Sequence, residues 1–170
     1  MAVTFLADLA STLDRELRGV LRQVEAYPDE RLLWRPVAAL PNTAGTLALH
    51  LAGNLQHFFG AGFAENGYLR NREAEFARRD VSRAEIAAEI EHARAAVAAG
   101  VERVRLADLE ADAPEPLGGY RVRVGDMLVH AVAHVAYHLA QIDAHRRTVT
   151  VDVTSLGMLR PDELRSARAP

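Results

Sequence analysis

Four stretches of this chain repeat apolar residues at helical spacing, and proline or glycine punctuation separates them. Leu6, Leu9, Leu13, Leu17, Val20, Leu21 and Val24 recur at three- and four-residue intervals, which predicts a helix from about Val3 to Ala26. Tyr27-Pro28-Asp29 stops it, because the residue before a proline avoids helical backbone angles. The two-proline connection "RLLWRPVAALPNTAG" follows. A second helix is expected from near Thr43 to about Phe59, before Gly60 and Gly62. A third opens at "SRAE", where Ser82 and Glu85 predict a capping box, and Ile86, Ile90 and Val97 carry it to about Val104. "ADAPEPLGG" reads as a loop, and a fourth helix spans about Val124 to Arg146. "VTVDV" is the only alternating stretch, and a lone strand has nothing to pair with. One short helix is expected after Pro161. The fold class expected is therefore all-α, a four-helix bundle. We expect one domain over residues 1–170, with the bundle over about 1–147 and a tail over 148–170. The long connection between the second and third helices, roughly Gly60 to Val81, allows a non-sequential topology or a functional lid.

Composition narrows the chemistry by exclusion. A chain of 170 residues, 49% apolar and 25% charged, can bury a real core. The net charge of -3 gives no reason to expect a nucleic-acid partner. No apolar run is long enough to span a membrane. The N-terminus lacks a basic leader and Asp8 interrupts its apolar stretch, so it does not read as a signal peptide. The expected location is cytoplasmic. There is no cysteine, which excludes disulfides, thiolate metal ligands and a cysteine nucleophile. All twenty basic residues are arginine, which excludes a Schiff-base lysine.

The segment "HAVAHVAYHLAQIDAH" places His130, His134, His138 and His145 in the fourth helix. Four residues of helix turn through about 400°, so each step advances only about 40° and the imidazoles share one stripe. His130 and His138 are about 12 Å apart along the axis, too far to share one ion. His130 with His134, or His134 with His138, can chelate, and His134 belongs to both pairs. His145 is out of reach of His138. Catalytic zinc typically takes three protein ligands and keeps a position for water. The second helix offers His50, set among Leu47, Leu49 and Leu51, where an unpaired polar group is costly. Asn54 and His57 follow one and two turns later on nearly the same face. His57 lies about 10 Å of rise from His50, so only one of the two can hold the same ion. A packing or surface role is favoured for His57 and His145, and His130 reads equally as packing or as an outer partner. His92, among Glu85, Glu89 and Glu91, reads as a solvated face. A di-iron carboxylate bundle fails, because only Glu89-Ile90-Glu91-His92 supplies its Glu-x-x-His motif. Haem ligation does not need two histidines one turn apart.

A histidine after a leucine-rich helix start, then His-x-x-x-His and a glutamine in the last bundle helix, resembles the DinB-like metalloenzymes. That group includes bacillithiol- and mycothiol-dependent transferases. Members commonly read H-x-x-x-H-x-G-Q, and here His134 to Gln141 reads "HVAYHLAQ", with Ala140 where glycine is usual. The resemblance covers about residues 1–147. It implies His50, His134 and His138 as the metal ligands, which selects between the two chelating pairs that spacing leaves open. It also implies an up-down-down-up bundle, a divalent ion such as zinc or nickel, and a homodimer. The extra His130 and Ala140 are the departures.

Three neutral imidazoles leave the charge of a divalent ion uncompensated, so bound water ionises near neutral pH. The same position can favour the thiolate of a substrate thiol. Asn54, His57, His130 and Gln141 are candidates to line the pocket or orient the ligands. The function expected is a metal-dependent S-transferase joining a low-molecular-weight thiol to an electrophile. The alternatives are a metal-dependent hydrolase and a non-catalytic bundle with a structural metal.

Overall fold

The computed structural model describes residues 2–157 and 159–169. Four long helices form the bundle: α1 (Ala2–Glu25), α2 (Ala44–Leu55), α4 (Arg83–Arg103) and α5 (Val124–Thr150). A short α3 (Arg72–Ala77) lies between α2 and α4. No strand occurs among the described residues; two isolated antiparallel bridges, Asp112 with Arg123 and Leu117 with Tyr120, close the loop before α5. No described helix is long and apolar enough to cross a membrane.

The periodic residues become the core. Leu13, Leu17 and Val20 of α1, Ile86 and Ile90 of α4, and Val135 and Ile142 of α5 are all fully shielded from solvent. Each such side chain contributes about 1.5–3 kcal/mol on leaving water, so turning a face outward would forfeit several of these together. α1 and α2 each pack against both α4 and α5 and barely touch one another. α2 is the most enclosed helix, with every residue from Ala44 to Gly53 buried. The Thr43 side chain caps its start by accepting from the Thr46 N–H at 3.3 Å.

Several boundaries differ from the sequence expectation, each for a visible reason. The second helix does not stop at Phe59: it widens into a π-helical segment, Gln56–Phe63. Gly60 and Gly62 are absorbed because close packing compensates for their flexibility. A Cβ on Gly100 of α4 would stand 2.6 Å from the Phe59 carbonyl oxygen, so the two backbones touch there. The Gly60–Val81 connection is partly helical, since the Asn71 side chain caps α3 by accepting from the Ala74 N–H at 2.9 Å. At α4, Ser82 accepts from the Glu85 N–H at 3.2 Å, but the Glu85 carboxylate pairs with Arg78 instead of returning to Ser82. Only half of the expected capping box forms.

The fourth expected helix runs four residues past Arg146, because Val149 is buried. It ends at Val151 with φ 58°, a left-handed conformation costly for a β-branched residue. The wholly buried Arg146 holds the chain there, donating to the Thr154 carbonyl at 2.8 Å and to Gln23 Oε1 at 2.7 Å. The short helix expected after Pro161 is a single 3-10 turn, Pro161–Glu163, and Glu163 pairs with Arg22 of α1 at 3.0 Å.

Candidate metal centre

His50 enters from α2, and His134 and His138 from α5, two helices in direct contact. Burial of the whole of α2 leaves His50 no route to solvent, and it is 7% exposed. His134 and His138 are half-buried. The three Nε2 atoms converge: His134 Nε2 lies 3.3 Å from that of His50 and 3.1 Å from that of His138. All three donors lie within 4.8 Å of one another, and among the described residues the group contains only these three.

The outer nitrogens explain why the inner ones face each other. His50 Nδ1 lies 2.9 Å from Glu75 Oε2. A carboxylate only accepts, so Nδ1 holds the proton and Nε2 presents a lone pair. His138 Nδ1 lies 2.7 Å from Gln141 Oε1, which sets the same tautomer. The short Nε2–Nε2 separations therefore bring lone pairs together, an arrangement that a cation relieves. His134 Nδ1 is buried and finds no hydrogen-bond partner among the described residues.

Electrostatics keep the cluster neutral. Burial, and after it the imidazoles of His138 and His50, push His134 down to about 3 from its usual 6.5. Burial also lowers His138, partly opposed by Gln141. Neutral imidazole is the form that binds metals. Burial works against ionisation of Glu75, but hydrogen bonds from Arg70 and His50 together outweigh it and leave its carboxyl below the usual range.

The remaining candidates fall around this group unequally. Gln141 contacts a member of it directly. His130 is exposed, and its ring stacks on His134 with centroids 5.6 Å apart. Asn54 is half-buried one turn beyond His50. His57 is half-buried against Phe58 and outside the group; burial lowers its pKa, and Glu115 opposes this. His92 is exposed. His145 is fully buried elsewhere: Tyr27 Oη donates to its Nδ1 at 2.8 Å, and its Nε2 donates to the Arg35 carbonyl at 2.8 Å. It is a structural histidine.

Sequence reasoning missed Glu75 and Arg70. Glu75, on α3, is 6% exposed and accepts from Arg70 Nε at 2.7 Å. An Asn N-cap followed by "REAE" signals a short helix, but nothing local says that its second glutamate is buried against α2.

Helical architecture and three converging imidazoles define a bundle protein whose pocket can hold a metal ion. The family model of the DinB superfamily matches residues 12–142, and the chain belongs to that superfamily. No curated protein and no solved structure matches it significantly.

Proposed function

We propose that the protein binds one divalent ion, zinc or nickel, through Nε2 of His50, His134 and His138, and that it is a metal-dependent S-transferase. The observation that carries this reading is the meeting of three imidazole lone pairs whose outer nitrogens are engaged or buried. Such a donor set suits a borderline ion that accepts three nitrogens. A structural site is normally closed by a fourth protein ligand, and the group of only three among the described residues supports an open position. The ion would supply a charge that favours the ionised form of a substrate thiol and a position where that thiol can enter.

The chain's own residues divide the remaining work. Glu75 and Gln141 orient His50 and His138. Half-burial of His134 and His138 leaves a side through which small molecules approach. The sequence contains no cysteine, so the sulfur nucleophile has to arrive with a substrate. The superfamily assignment also favours the up-down-down-up order, and the packing of α1 and α2 onto the same two helices supports it.

The test is consumption of an alkylating electrophile by zinc- or nickel-loaded protein with bacillithiol, mycothiol or glutathione. We expect consumption that requires both metal and one of the thiols. Thiol-independent cleavage of a model ester or amide would replace this reading with a hydrolase. Full metal occupancy with neither activity would leave a structural metal.

A further inference from the structure

Glu75 is a carboxylate in a place where stability alone gives no reason for one. It is 6% exposed, and burying a charge costs several kcal/mol unless partners compensate. The compensation is complete. Arg70 donates to both oxygens, at 2.7 Å from Nε to Oε1 and 2.9 Å from Nη2 to Oε2. His50 Nδ1 donates to Oε2 at 2.9 Å. Arg70 is thus committed to Glu75, and the one remaining partner of the pair is the ring of His50. Phe76, the next residue, packs its ring 4.8 Å from that same imidazole.

The sequence makes room for this carboxylate. Gly53 sits in the middle of α2, where glycine weakens a helix by about 1 kcal/mol relative to alanine. A Cβ there would stand 2.8 Å from Glu75 Cδ and closer still to Oε1. Gly53 therefore admits α3 to its position over His50. Four residues in two separate segments, Gly53, Arg70, Glu75 and Phe76, converge on one ring.

We propose that Glu75, held by Arg70 and admitted by Gly53, is the positioning residue of the metal centre. It fixes His50 with the proton on Nδ1 and strengthens Nε2 as a donor, so the 64–81 connection is part of the site. This rests on the metal reading of the three histidines. Outer carboxylates of this kind hold ligand imidazoles in orientation, and their loss typically weakens metal binding about 10- to 100-fold. In Glu75→Gln a single side-chain oxygen must serve both Arg70 and His50. If Arg70 keeps it, the amide N–H₂ faces Nδ1 and reverses the tautomer.

Two readouts on the full-length protein test this, one of them independent of metal. In the metal-free protein, 15N NMR of the histidines should show His50 protonated on Nδ1, and Glu75→Gln should lose that fixed tautomer. In chelator competition, zinc affinity should fall about 10- to 100-fold in Glu75→Gln. Gly53→Ala, which keeps both charges but displaces the carboxylate, should lower affinity in the same direction. Arg70→Gln/Glu75→Gln, which leaves no unpaired buried charge, guards against simple misfolding and should also bind weakly. A wild-type His50 protonated on Nε2, or variants that fold and bind zinc as wild type does, would overturn the proposal. Wild-type protein that binds no zinc yet shows the tautomer change overturns the metal reading and upholds the control of His50 by Glu75.

Discussion

Replacing His134 with alanine separates the contribution of the site to metal binding from its contribution to the fold. In the metal-free protein the change should be mild. His134 Nδ1 has no hydrogen-bond partner among the described residues, and its Nε2 faces two other lone pairs. No favourable polar contact is lost. The variant forfeits packing of a half-buried ring and removes an orphaned buried nitrogen, terms of opposite sign and about 1 kcal/mol each. The apo melting temperature should therefore move by only a few degrees.

Metal changes the comparison. An ion at about 100 times its dissociation constant stabilises a folded protein by about 2.7 kcal/mol. In a domain of this size each kcal/mol is worth about 2–4 °C, so wild type should gain roughly 5–10 °C with zinc. His134→Ala retains one imidazole from each helix, fewer than the three a zinc site uses. Its gain should be close to zero. Scanning calorimetry with and without zinc, paired with elemental analysis, reads both effects. His130→Ala is the control, since that ring is exposed and only stacks on His134, and it should keep the full gain. If His134→Ala retains the zinc shift and metal content, or His130→Ala loses them, the ligand assignment is wrong.

Two further predictions concern the buried histidine that binds no metal. Tyr27→Phe removes the donor to His145 Nδ1 and strands a buried acceptor, so it should cost about 1–3 kcal/mol in urea unfolding with metal content unchanged; a cost near zero would mean that water replaces the hydroxyl. Burial, only partly offset by the Arg35 carbonyl, holds His145 below its usual 6.5, so between the two values the unfolded chain binds more protons and stability rises with pH. Stability of the apo protein should be flat above about pH 7 and fall as pH drops below about 6.5. His134 and His138 share that window, and His145→Gln should flatten the slope only in part; an unchanged slope in His145→Gln would remove His145 from the account.

Local pattern carried most of the architecture. A period of 3.6 residues is written in each segment separately, so the four long helices and the absence of cysteine chemistry follow from sequence alone. So does the alignment of His134 and His138 one turn apart, because both lie on one helix. The extra four residues of α5 were not legible, since they depend on Val149 finding the core and Arg146 catching the tail. Spacing offered His130–His134 and His134–His138 as equals, and the resemblance to DinB proteins preferred the second. The fold decides which imidazole the second helix meets: the approach of α2 to α5 leaves His130 in solvent and sets His50 beside His134 and His138. Glu75 shows the same division. Its burial depends on a glycine 22 positions earlier whose missing Cβ matters only once α3 lies against α2. Periodicity is a property of neighbours along the chain, whereas a site between helices depends on their mutual packing, which only the assembled core determines.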